Sequence, residues 1–257
     1  MERNLKLTIA YDGTDFHGWQ RQPGVRTVQE ELEKVARRII RQPLEIVGAS
    51  RTDAGVHAQG QVAHLRTATS IPAENIRRAI AHRLIGDVTL VHVADVPLEF
   101  HATRHALSKL YRYRIHNDFR RPVEWHAARH AWHIWWPLDV LRMQTAADLL
   151  VGTHDFAAFA SAGCTRSTTV RTVRHIHVQR HYTTVVIDVE GTGFLYNQVR
   201  NMVGTLVEVG RGHWPPERVS DILAARDRRQ AGPTAAAHGL CLQWIKYPPD
   251  RSLSDGT

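Results

Sequence analysis

Cysteine is nearly absent from this chain: there are two in 257 residues, Cys164 and Cys241, far apart and in no CxxC spacing. Neither a disulfide framework nor a thiolate zinc site is indicated. Long apolar runs are missing too. No uncharged stretch is long enough to cross a bilayer, and the opening MERNLKLTIAYDG lacks the basic region and apolar segment of a secretory leader. A cytoplasmic protein without a membrane partner is expected. Acidic side chains are in deficit, 25 Asp and Glu against 33 Lys and Arg, which leaves a net charge of +8. Such a field attracts polyanions, and nucleic acid is the leading partner class.

What is present is ordinary globular material. Hydrophobic residues at 43% and charged residues at 23% set general disorder aside, and the length suits one large domain or two of common size. Residues 5–11, LKLTIAY, alternate as a half-buried strand does. Thr27 followed by Glu30 has the capping-box pattern, and Val28, Leu32, Val35 and Ile39 predict a helix over about 28–41. LEIVGA and GQVAHLRT read as strands, Pro72 opens a second helix, and VTLVHVADV closes the unit. That order, β-α-β-β-α-β, is the ferredoxin-like split unit, also called RRM-like.

The second half is expected to repeat the plan without sequence repetition. SKLYRYRIH, AWHIWWP, VRTVRHIHVQR, YTTVVIDVEG and GLCLQWIKY read as extended; residues 138–150, FLYNQVRNMVGTLVEVG and PPERVSDILAA read as helical. The expected fold is therefore α+β, two ferredoxin-like halves with antiparallel sheets meeting at a cleft. The expected division is residues 1–104, carrying the loop described next, and 105–257. The tail PPDRSLSDGT is expected to fray.

In GASRTDAGVHAQGQVAHL, residues 48–65, Asp53 is the one acidic side chain. A short polar residue in a turn commonly serves local backbone hydrogen bonds. Here Arg51 stands two residues away, and Ala54, Gly55 and Ala58 leave room for a flat ligand to approach the backbone. A carboxylate kept ionised in such a place needs a cation, because burial alone raises its pKa.

Together with GWQRQPGVRTVQEELE at 18–33, this segment resembles the tRNA pseudouridine synthase A family. FHATRHALSKLYRYRIHN, VRTV, GTGFLYNQVRNMVGTLVEVG and GPTAAAHGLCL are similar to that family's other blocks, in its order, across nearly the whole chain. The resemblance implies a catalytic Asp53, a tyrosine at Tyr111, and Arg200 as partner of the carboxylate. It also implies Arg51 as a wedge in the RNA stack and Leu240 packed beneath the base. Ser50 and Ala58 stand where the family has or often has Gly, and Cys241 where Tyr is usual. The activity implied is conversion of uridine to pseudouridine at positions 38, 39 and 40 of the tRNA anticodon stem-loop, by a homodimer without metal or organic cofactor.

That chemistry breaks the bond from N1 to ribose, turns the uracil and rejoins it through C5, so one carboxylate must attack or deprotonate. The base must also leave its stack, which a guanidinium wedge and an aromatic platform ease; Arg51 and Tyr111 fit those roles, and Tyr111 can also relay the C5 proton. Two rivals remain: a non-catalytic RNA-binding module, and a metal-dependent hydrolase built on Asp53, His57 and His64. Trp125, Trp132, Trp135 and Trp136 are expected in the core ahead of an interface or an RNA contact. His175 and His177 are expected as a solvated pair on one strand face. Arg37 with Arg38, and Arg77 with Arg78, are expected to be solvated helix residues able to follow phosphates.

Overall fold

The structure, a computed structural model, describes residues 2–84, 86–123, 125–161 and 168–249, the side chains of 125–127 excepted. Cys164, the Trp125 side chain and the tail from residue 250 lie outside the described residues. The chain forms two compact units, one built from residues up to Leu107 and again from Leu242 onward, the other from Ser108–Cys241. Both mix sheet and helix, and six α-helices are described.

In the first unit the central strand is β1 (Arg3–Tyr11). It is antiparallel to β3 (His57–Thr67) on one side and to β4 (Val88–Val96) on the other. The predicted alternation holds: Leu5, Leu7, Ile9 and Tyr11 are buried, with Lys6, Thr8 and Ala10 between them only partly covered. The short β2 (Val47–Gly48) is antiparallel to β3, so the LEIVGA strand contracts to two residues. Helix α1 (Val28–Ile40) buries Val28, Leu32, Val35, Ala36 and Ile40, and α2 (Ala73–Ala81) buries Ile76 and Ile80.

The capping box at Thr27 does not form. Thr27 is the N-cap residue, but its side chain makes no capping bond and its Oγ1 is buried without a partner. Backbone carbonyls do the work instead: Val28 N–H donates to Gly18 O at 3.2 Å and Gln29 N–H to Trp19 O at 3.0 Å. The first orphan donors of the helix are thus spent on the Gly-rich loop and tie it down.

The second unit holds β5 (Ser108–Asn117), β9 (Thr184–Gly191), β8 (Val170–His181) and β7 (Gly152–Asp155) in that spatial order, all antiparallel. A three-residue β6 (Trp132–Ile134), following the six-residue α3 (Trp125–His130), runs parallel to β5. Helices α4 (Val140–Asp148), α5 (Gln198–Gly210) and α6 (Arg218–Ala225) complete it. Every residue of α5 is buried except Arg200. A helix with no solvated face is a core element, and a single half-buried arginine on it marks a place set apart.

The last strand, β10 (Leu240–Lys246), carries the chain back to the first unit. Leu107 N–H donates to Lys246 O at 2.8 Å, and the Tyr247 hydroxyl donates to Ala102 O at 2.6 Å. A Cβ on Gly60 of β3 would stand 2.4 Å from Gln243 O, so only glycine lets these backbones approach.

Candidate active site

Asp53 heads a tight turn. Its carbonyl accepts from Val56 N–H at 3.1 Å, and Gly55 in the third position has φ +77°, the conformation a type II turn requires there. Asp53 is half-buried, Arg51 is exposed, and Thr52 between them is buried.

The turn is held from several directions. The buried Tyr11 hydroxyl meets Thr52 Oγ1 at 2.7 Å, and Trp19 N–H donates to Thr52 O at 3.0 Å. Gly55 N–H donates to Phe16 O at 3.2 Å. Gln61, fully buried on β3, grips Ser50 by both backbone groups, its Nε2 donating to Ser50 O at 2.7 Å and its Oε1 accepting from Ser50 N–H at 3.3 Å. Gly13 and Gly18 have no alternative: a Cβ on either would lie 2.0 Å from Val56 O or 2.5 Å from Thr52 O. Trp19, 1% exposed, lies against Tyr11 and so close over Gly48 that a Cβ there would be 2.2 Å from its Nε1. A carboxylate on this turn therefore has little freedom to wander, which is the preorganisation a catalytic group needs.

In the second unit, Tyr111 on β5 is buried with its ring edge-to-face on Phe194, centroids 5.4 Å apart. Arg200 Nε donates to Ala235 O at 2.7 Å and its Nη1 to Asn197 Oδ1 at 2.9 Å. Ala235 N–H returns a bond to Arg200 O at 3.2 Å, so helix and loop hold one another. The loop lies hard on α5, where a Cβ on Gly204 would meet Pro233 O at 1.7 Å. Tyr113 donates to Ala236 O at 2.7 Å, and burial pushes its phenol well above the ordinary range, so it stays a neutral donor. Burial, reinforced by the charge of Arg200, lowers the His238 imidazole. Leu240, 5% exposed, follows directly on the short 3-10 turn Ala237–Gly239. The structure thus gathers Arg200, Tyr113 and the 235–239 loop into one bonded assembly, with Tyr111 two residues along the same strand from Tyr113.

Sequence reasoning missed Trp19, Gln61, Thr52 and Tyr113 as supports of these groups. The aromatic GW pair and the buried polar Gln61 on an otherwise apolar strand were the available signals.

Other expectations fare differently. His57 and His64 lie seven residues apart on β3, roughly 23 Å along an extended strand. His57 Nδ1 accepts from Gly13 N–H at 3.0 Å, while His64 Nδ1 accepts from Ala102 N–H at 3.3 Å beside the His101 ring. The hydrolase trio with Asp53 does not assemble. The three tryptophans of this run with described side chains are not core: Trp135 is 63% exposed, Trp132 and Trp136 are half-buried, and Ile134 and Leu138 take the buried positions between and beyond them. Alternation turns Trp135 away from the side that Ile134 buries, while Trp132 stays partly covered with its ring edge-to-face on Tyr113. His175 and His177 are exposed, as expected. Arg77 and Arg78 both bind Glu74 rather than standing free, and hydrogen bonds from the two arginines bring its carboxyl down to about 2.

Residues 7–103 and 146–248 match a family model described as tRNA pseudouridine synthase. The tRNA pseudouridine synthase A of Syntrophotalea carbinolica is 45% identical over 246 residues, 95% of this chain and 96% of that protein. The tRNA pseudouridine synthase A of Thermoanaerobacter sp. (strain X514) is 43% identical over 246 residues, 95% of this chain and 100% of that one. Among solved structures, a chain of the archaeal box H/ACA sRNP Nop10-Cbf5 complex overlays with a TM-score of 0.36 and 12% identity, covering 79% of this chain and 44% of that chain, a likeness too remote to carry anything about the site.

Proposed function

Because the chain belongs to the tRNA pseudouridine synthase family, we propose that it isomerises uridine to pseudouridine at positions 38, 39 and 40 of the tRNA anticodon stem-loop, with Asp53 as the reacting carboxylate. The observation that carries the assignment of Asp53 is its turn, fixed by Tyr11, Trp19 and Gln61 through the backbone of Ser50 and Thr52. Asp53 attacks or deprotonates; the N1–C1′ bond breaks, the uracil turns, and C5 bonds to C1′. The C5 proton then leaves and N1 ends protonated, so substrate and product are isomers and no redox partner or cofactor is consumed.

In this reading Tyr111 stacks on the extruded uracil and relays the C5 proton, and Arg200 favours the ionised form of the carboxylate. Arg51, exposed on the turn, occupies the space the uridine vacates, and Leu240 packs under the base. Two ferredoxin-like halves remain the proposed architecture; the antiparallel order β4-β1-β3, with β2 also on β3, supports it for the first. A homodimer in the cytoplasm is the proposed working form. Among the described residues no helix is long and apolar enough to cross a membrane.

The test uses tRNA lacking pseudouridine, chelated protein, and carbodiimide-blocked primer extension. Wild type should give new stops in the anticodon arm. Asp53→Asn should bind tRNA and give none, because the amide keeps the shape without the nucleophile or base. Turnover by that variant would overturn the role of Asp53, and binding by wild type without any stop would favour the RNA-binding module.

A further inference from the structure

Glu33 on α1 is 1% exposed, yet it serves two arginines. Its Oε2 accepts from Arg21 Nη1 and from Arg37 Nη2, each at 2.9 Å, while its Oε1 accepts from Gln29 Nε2 at 3.2 Å and Ile46 N–H at 3.0 Å. One cation would neutralise this carboxylate. The second leaves a local excess of positive charge, and both arginine side chains remain open to solvent, at 49% and 44% exposure. Sharing a single oxygen, the two guanidinium groups stand no farther apart than two hydrogen bonds allow, a spacing at which one anion can meet both.

Further bonds hold the Arg37 guanidinium and the Arg21 backbone. Arg37 Nε and Nη2 also donate to Leu44 O at 3.2 and 2.9 Å, and Arg21 N–H donates to Gln29 Oε1 at 2.9 Å. Arg21 follows two residues after Trp19, whose N–H holds Thr52 O next to Asp53. The paired cations are therefore tied through a short bonded path to the turn that presents the carboxylate.

We propose that Arg21 and Arg37, clamped on Glu33, form a phosphate-binding site that takes one backbone phosphodiester of the RNA near the uridine delivered to Asp53, and so sets the register of the strand. The chemistry fits: Arg37 Nη1 and the unspent N–H groups of Arg21 can donate charge-assisted hydrogen bonds to phosphate oxygens, and the carboxylate between the two cations prevents their mutual repulsion from splaying them apart. This rests on the RNA-modifying reading above.

The experiment measures binding of anticodon stem-loop RNAs that each carry one neutral methylphosphonate, scanned along the loop. With wild type, one position should weaken binding by about tenfold, the worth of a charge-assisted bond. With Arg21→Gln/Arg37→Gln, the same RNA should bind no worse than its unmodified parent. The salt slope of that variant should fall by about 0.7–0.9, one phosphate's share, and Arg21→Lys/Arg37→Lys should restore the slope. Each single Gln variant, checked for folding by thermal melt, should give half the pattern if the double variant is unstable. A scan in which no position loses its effect in the variants, or an unchanged salt slope, overturns the clamp. Wild type that makes no pseudouridine would instead overturn the functional reading, whatever the scan shows.

Discussion

Replacing Gly204 by alanine sets two local rules against one another. Gly204 lies within α5, where alanine is better than glycine by about 1 kcal/mol on helix propensity. Yet the new Cβ would stand 1.7 Å from Pro233 O and 2.9 Å from its carbonyl carbon, with Ala235 N next at 3.5 Å. A backbone carbonyl cannot step aside as a side-chain tip can, so the 233–235 segment must lift. Overpacking of this kind costs about 1–3 kcal/mol, here at the upper end. The lift also threatens the Arg200 Nε bond to Ala235 O and its return bond, and a hydrogen bond to a charged group is worth about 1.5–3 kcal/mol. The net loss should be about 2 kcal/mol or more, which lowers Tm by about 4–8 °C in a protein of this size. Because the damage falls on the anchorage of Arg200, the single-turnover rate on saturating tRNA should drop about tenfold or more at temperatures where the variant is fully folded. Calorimetry and quenched-flow pseudouridine assays read the two quantities. A Tm increase with an unchanged rate would mean that propensity wins and that the close packing of loop on helix does not hold Arg200.

Arg200→Met should lose most activity at neutral pH and recover some as pH rises, since removal of the cation raises the carboxylate's pKa; Arg200→Lys should regain part of the rate, and a wild-type pH profile in the Met variant would remove Arg200 from the mechanism. Trp19→Ala should cost about 3–5 kcal/mol in denaturant unfolding, whereas exposed Trp135→Ala should change stability by about 0.5 kcal/mol or less; equal losses would contradict the burial of one and the exposure of the other. Burial, together with the nearby His101 charge, holds the His64 imidazole at about 4 against 6.5 unfolded. The unfolded chain therefore takes that proton first, and the stability gained from neutral His64 is complete above pH 6.5 and lost as pH falls toward 4. Melting curves across that window should show a shallower pH dependence in His64→Gln than in wild type; an unchanged dependence would mean that His64 does not titrate there.

Elements governed by local pattern were legible in the sequence. The alternation in LKLTIAY and VTLVHVADV and the helical spacing after Thr27 give β1, β4 and α1 to within two residues at each end. The Asp53 loop stood out because its small residues surround a lone carboxylate. What stayed hidden depended on distant chain segments. Thr27 fits a capping box, but carbonyls ten residues upstream of the first helix donors reach them first. The tryptophan run looks like core by composition, but whether a strand has two covered faces is decided by its neighbours. Glu33 reads as one more charged residue on an amphipathic helix; only the arrival of Arg21 from one side and Ile46 from the other makes it a buried hub.

The return of the chain at Leu242 has a temporal side. Residues up to Leu107 emerge from the ribosome first, yet the segment from Leu242 that docks on their β3 emerges last, after all of Ser108–Cys241. At about 5–20 residues per second the nascent unit that carries the Asp53 loop waits on the order of ten seconds with one side of β3 incompletely paired. Until Gln243 reaches Gly60, that open strand is a template for the wrong neighbour, and the Asp53 turn sits at its head. Release of a premature product ending near residue 241 would leave this state permanent, so faulty termination should yield aggregates and not a weakly active fragment.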